Sequence, residues 1–206
     1  MQIKNFIDQL NEWGQNRVPF LFLVDFELEQ PMAWRTDQVD ADEMLYSLNS
    51  FSNVTRLKPV AKEIQLKKIP LSFQEYEHKF NRVSKHLSRG DSFLVNLTIK
   101  TPIALNCSTK ELFHLSDSRY KCWVRDQFLF YSPEIFVQIK EGKIFSYPMK
   151  GTIDASLDKA HESILNNKKE QAEHITIVDL IRNDLSQVAT NVKISRFRYV
   201  EEIVTN

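Results

Sequence analysis

Apolar residues recur at helical spacing at the start of the chain. Ile3, Phe6, Ile7, Leu10 and Trp13 share one face and Gly14 follows as a stop, which predicts an amphipathic helix. The pattern then changes to a continuous apolar run, PFLFLVDF, bounded by Pro19 and the polar ELEQP stretch, and reads as a buried strand. From 30 to 68 neither period is strong, so that region is expected to be loop-rich. A stronger helix begins at Ser72, which forms a capping-box pattern with Glu75, and continues through Phe73, Tyr76, Phe80, Val83 and Leu87 to Gly90. DSFLVNLTI follows as a strand, and Ser108 with Glu111 repeats the capping pattern before a short helix at 112–115. Strand-like segments at 121–131, 135–140 and 143–147 precede a long helix that starts near 156 or 168 and ends at 185. Hairpins mixed with long helices indicate an α+β fold, mostly antiparallel sheets covered by helices, rather than a regularly alternating parallel one.

The hairpin in FVQIKEGKIFSYPMK carries the first candidate chemistry. Gly142 is a turn signal between two apolar strands, and a turn centred on it sets Glu134 opposite Lys150. Opposed residues have Cβ atoms about 4.5 to 5.5 Å apart, close enough for an ion pair or proton exchange. Pro133 and Pro148 flank the pair and donate no ladder hydrogen bond, so the strands should fray there and leave room for a ligand. Gly151 then offers a backbone that a ligand can approach, and Thr152 a hydroxyl donor. An exposed cross-strand ion pair worth about 0–1 kcal/mol explains the same two residues equally simply.

The second candidate lies on the last helix. Ile175, Ile177, Val178, Leu180, Ile181 and Leu185 leave little of its circumference polar, so it is expected to be buried on most sides. Glu173 shares a face with Ile177, Leu180 and Asp184. A carboxylate buried there needs Mg²⁺ or a basic side chain as partner, whereas one in exposed first turns needs none. Asp179, Arg182, Asn183 and Asp184 form a polar cluster suited to fixing the following loop by hydrogen bonds. His174 has no companion at metal-ligand spacing and is expected to be packed.

Composition narrows the function classes. With 206 residues, 42% of them hydrophobic and 11% aromatic, the chain can build a substantial core. Its 27 basic and 27 acidic residues cancel, so the totals give no argument for nucleic acid or an anionic membrane as partner. Cys107 and Cys122 lack CxxC spacing and are expected to be reduced, structural thiols, as in cytosol. The amphipathic, acid-containing start is unlike a signal peptide, and the apolar run at 20–24 is too short to span a bilayer, so a soluble, cytoplasmic protein is expected.

Four segments together resemble the chorismate-utilising enzymes, and within them aminodeoxychorismate synthase component I. They are GDSFLVNLT at 90–98, SPEIF at 132–136, YPMKGT at 147–152 and AEHITIVDLIRNDL at 172–185, in matching order and spacing. Anthranilate synthases usually carry Ala before the Gly-Thr pair, whereas aminodeoxychorismate synthases typically carry Lys, and this chain has Lys150. The resemblance implies that Lys150 is a nucleophile on the chorismate ring, with Glu134 the acid or base that helps the ring hydroxyl depart. It implies substrate contacts at Gly151 and Thr152. It also implies that Glu173 is one of the carboxylates holding the Mg²⁺ cofactor. Ammonia, supplied by a separate glutamine amidotransferase subunit, would complete the conversion to 4-amino-4-deoxychorismate.

On this basis residues 1–68 are an N-terminal helix and strand segment with loops, and 69–206 the first part of a chorismate-binding domain. The resemblance covers about 73–205, while the family's domain continues further. The chain is therefore expected to be a C-terminally truncated fragment that binds chorismate weakly, does not turn it over alone and self-associates through uncovered surfaces. Anthranilate synthase component I, or a non-catalytic module that docks an amidotransferase, are the competing readings.

Overall fold

The computed structural model describes residues 2–54 and 63–203. By its internal contacts the chain divides into two units, one made of Met1–Leu57 with Ser116–Asn206 and the other of Lys58–Leu115.

The first unit opens with α1, Ile3–Gln15, followed by β1, Phe20–Leu23, and β2, Met32–Arg35, which pair antiparallel from Phe20↔Arg35 to Leu23↔Met32. The helix runs through Gly14, and the chain reverses instead at Arg17, whose φ is 55°. After β3, Met44–Leu48, and β4, Phe51–Ser52, the chain enters the second unit. There β5, Leu66–Lys68, pairs antiparallel with β6, Ile103–Leu105, and between them lies α2, Phe73–Ser88. Ser72 and Glu75 form the expected capping box, and Gly90 after the helix adopts φ +79°. Ser108 and Glu111 make the same reciprocal bonds at the start of α3, Thr109–Leu115. The segment 91–99, expected as a strand, joins no ladder, and Phe93 is exposed. Apolar content alone does not make a strand without a neighbour to take its backbone hydrogen bonds.

The first unit resumes with β7, Tyr120–Val124, and β8, Phe128–Ser132, a hairpin that turns at Asp126 with φ 54°. A second hairpin follows, β9, Gln138–Lys140, and β10, Lys143–Phe145. The expected long helix is two helices, α4, Ala160–Asn166, and α5, Lys168–Ser186. Asn167 separates them, its side chain accepting from the Lys169 and Glu170 N–H groups at the start of α5.

The core is a four-stranded antiparallel sheet in the order β4-β3-β7-β8. Met44 and Tyr46 of β3 sit opposite Val124 and Cys122 of β7, all four buried on one face, with Leu21, Leu23 and Trp34 of the β1–β2 ribbon packed against them. On the ribbon's other side, Phe6 of α1 is buried against Phe22 and Trp13 packs on Phe20, with ring centroids 6.2 and 5.7 Å apart. Helix, ribbon and sheet thus form stacked layers, and the fold is α+β with antiparallel sheets. The weakly patterned 30–68 region, expected to be loop-rich, supplies β2 to β5, among them β3 with its first three residues buried. Beyond the short β4, the Asn53 side chain serves the β3 edge, accepting from Tyr46 N and donating to Met44 O. Cys107 and Cys122 are both free, and burial pushes the Cys122 thiol up to about 11, which keeps it protonated and inert.

The expectation that α5 is buried on most sides is overturned. None of its residues is buried, and Ile175 and Leu180 are 48% and 50% exposed. Only one stripe, through Ile177, Val178, Ile181 and Leu185, is half-buried. Among the described residues no helix is long and apolar enough to cross a membrane.

Candidate active site

The β9–β10 hairpin turns through Glu141 and Gly142, with φ 51° and 71°. Positive φ at both central residues is the two-residue turn that matches strand twist, and glycine adopts it freely. Its centre lies between those residues, so Lys140 pairs with Lys143, Ile139 with Ile144 and Gln138 with Phe145. This register is one position away from a turn centred on Gly142. It therefore does not support the expected opposition of Glu134 and Lys150, which lie beyond the end of the ladder.

The ladder stops at Gln138 and Phe145, but the two arms remain joined. Ser146 Oγ donates to Phe136 O at 3.1 Å, and Met149 N donates to Glu134 Oε1 at 2.9 Å. Ser132 fixes the backbone of Glu134 from below, its hydroxyl accepting from Glu134 N and donating to Glu134 O. The Glu134 carboxylate is therefore anchored to the peptide next to Lys150. Both side chains are exposed, and no ion pair joins them among the described residues. Thr152 is exposed as well.

Gly151 connects this loop to α5. Its φ is +75°, and a Cβ built on it would lie 2.9 Å from Glu170 Oε2 and 3.3 Å from Glu170 Cγ and Cδ. Glu170 is held in the first turn of α5 by the Asn167 cap. Glu170 and Glu173, three residues apart, share a helix face, and both carboxylates reach the Lys169 ammonium, at 3.8 and 3.4 Å. A continuous path thus runs from Glu134 through Met149, Gly151 and Glu170 to Glu173, with Lys150 on it.

The chorismate binding enzyme family matches residues 11–205. The chain belongs to this family. It is 42% identical over 203 residues to a Haemophilus influenzae protein named "uncharacterized PabA-like protein", covering 98% of this chain and 62% of that one. It is 30% identical over 131 residues to aminodeoxychorismate synthase component 1 of Klebsiella aerogenes, covering 58% of this chain and 29% of that one. It is 28% identical over 174 residues to anthranilate synthase component 1 of Aquifex aeolicus, covering 74% of this chain and 35% of that one. The chain spans 62% of the length of the Haemophilus relative, under two thirds. No solved structure matches it significantly.

In this member of the chorismate binding enzyme family the other groups near the candidate residues have distinct surroundings. His174 is half-buried with its ring 5.6 Å from Phe197, and desolvation, then the nearby Arg198 charge, push its imidazole below its ordinary value. The ring is packed, as expected. Arg182 pairs with Asp179 one turn back at 3.4 Å and Ser186 Oγ donates to Arg182 O, contacts that stay within α5 and do not reach the following loop as expected. Among the described residues no group of three or more His, Cys, Asp or Glu side chains gathers as for a metal. The carboxylate pair of Glu170 and Glu173 fits a hard divalent cation, because both already converge on one positive charge and offer oxygen donors. Sequence reasoning singled out Glu173 and missed Glu170. The signal was there, since two carboxylates three residues apart on a helix fall on the same face.

Proposed function

We propose that this member of the chorismate binding enzyme family is part of an aminodeoxychorismate synthase component I, inactive as this chain alone, and that the whole enzyme exchanges the ring hydroxyl of chorismate for the amine of ammonia with release of one water. Lys150 is the nucleophile. It is neutral when it attacks, which requires desolvation, and substrate closing over its exposed side chain supplies that. Glu134, tethered to the neighbouring peptide, donates the proton with which the hydroxyl leaves as water. Ammonia from a glutamine amidotransferase partner then displaces the lysine. The Gly151 backbone and the Thr152 hydroxyl receive substrate. Glu173, with Glu170 beside it, holds Mg²⁺, which when bound screens the negative charge of the substrate carboxylates.

The observation that carries this reading is the position of the Lys150 loop, fastened on one side to Glu134 through Met149 N and pressed on the other against Glu170 through Gly151. These two contacts support a reading in which the nucleophile, the acid and the candidate metal carboxylates act together. A second reading, anthranilate synthase component I, draws on the likeness to the Aquifex enzyme over the larger share of this chain. Product analysis of a full-length protein that contains this chain, with chorismate, ammonium and Mg²⁺, separates the two, since one yields 4-amino-4-deoxychorismate and the other anthranilate. Glu134→Gln is expected to lower turnover by about 10²- to 10⁴-fold, the usual contribution of a positioned acid. Lys150→Ala is expected to shift product toward anthranilate, and unchanged chemistry in that variant would remove the nucleophile assignment.

A further inference from the structure

The Lys169 ammonium lies within 3.8 Å of Glu170 and 3.4 Å of Glu173, against the same two carboxylates that the proposed function gives to a divalent cation. An ammonium and a metal ion cannot share those oxygens at short range, because like charges a few ångströms apart repel and each needs the same lone pairs. The lysine has room to leave. Its side chain is 76% exposed and carries four rotatable bonds into solvent, whereas Glu170 is held between the Asn167 cap and Gly151.

We propose that Lys169 is an internal competitor for the cation site, a lysine that neutralises Glu170 and Glu173 and swings out to solvent as a divalent cation binds. The inference rests on the metal reading above and adds a residue that sets cation affinity. Lys169 is placed for this by the cap, since its own N–H donates to Asn167 Oδ1 at 3.0 Å and fixes the first turn from which the side chain reaches along the helix to Glu173. Its neighbour Lys168 has the same charge on the same turn and makes no such contact among the described residues, so it serves as an internal control.

Mn²⁺ titration followed by the electron paramagnetic resonance of the free ion reads binding directly, without turnover. At about 0.15 M salt, where exposed charges are screened over about 8 Å, Lys169→Met is expected to tighten Mn²⁺ binding about two- to fivefold, the scale of an exposed ion pair. Lys168→Met is expected to change it less, and Glu173→Gln to abolish it. If Glu173→Gln abolishes binding but Lys169→Met leaves it unchanged, or shifts it no more than Lys168→Met, the competitor role is overturned while the metal site stands. If the wild-type chain binds no Mn²⁺, or Glu173→Gln binds as well as wild type, the metal reading falls and the role of Lys169 with it.

Discussion

A single missing side chain holds the candidate site together. Gly151 needs its φ of +75°, a conformation that costs an L-residue about 1–2 kcal/mol, and it also lies where a Cβ would strike the Glu170 carboxylate. These two demands are separable, because the nearest obstructing atom is the end of a flexible side chain whereas the backbone angle is fixed by the loop. Gly151→Ala is therefore expected to lower stability by about 1 kcal/mol or somewhat more, measured by urea denaturation. Adding Glu170→Ala should recover only the part due to the displaced carboxylate, and full recovery would mean that the backbone angle costs nothing here. Residue identity made Glu134, Lys150, Gly151 and Glu173 legible as candidates from the sequence. The spacing of Glu170 from Glu173 marks a shared helix face, but that this face meets the Gly151 loop became visible only in the fold.

At the scale of elements, the capping boxes at Ser72 and Ser108 were legible because they are local, each closing within three residues. Register was not, since it depends on whether one or two residues make the turn, and positive φ at both Glu141 and Gly142 moved every partner by one. The break between α4 and α5 was also hidden, although its cause is a single residue. Asn167 accepts from Lys169 N at 3.0 Å and Glu170 N at 3.2 Å, so it both ends one helix and starts the next. Asn167→Ala is expected to destabilise the protein by about 1 kcal/mol, the usual value of an N-cap, while Asn167→Asp should match or exceed wild type by adding a charge that favours the helix N-terminus. Thermal unfolding of the three proteins orders them, and equal stability of the Ala and Asp forms would show that the cap contributes nothing. Because the cap also fixes the turn bearing Lys169 and Glu170, its loss reaches the site through the scaffold.

Across the whole chain, apolar residues and buried residues are different sets. The α5 pattern suggested burial on most sides, yet Leu180 is 50% exposed, while β3, hidden in the weakly patterned region, places Met44 at 2%. The physical reason is that β3 is only five residues long and its first three are buried on both faces, so it lacks the alternation that marks a half-buried strand. Which apolar segment becomes core is decided by pairing, and β3 pairs along its full length with β7 from Met44↔Val124 to Leu48↔Tyr120. Two substitutions of similar chemistry should therefore differ widely in effect. Met44→Ala opens a cavity beneath Leu21, Leu23 and Trp34 and is expected to cost about 2–5 kcal/mol, enough to unfold a marginal domain. Leu180→Ala removes a side chain already half in water and sits in a helix where alanine is favoured, so it is expected to cost less than about 1 kcal/mol. Urea midpoints for the two variants measure the contrast directly. A Leu180→Ala loss as large as that of Met44→Ala would mean that α5 is covered in solution, and that the face it shares with Glu173 lies inside the protein rather than at its surface.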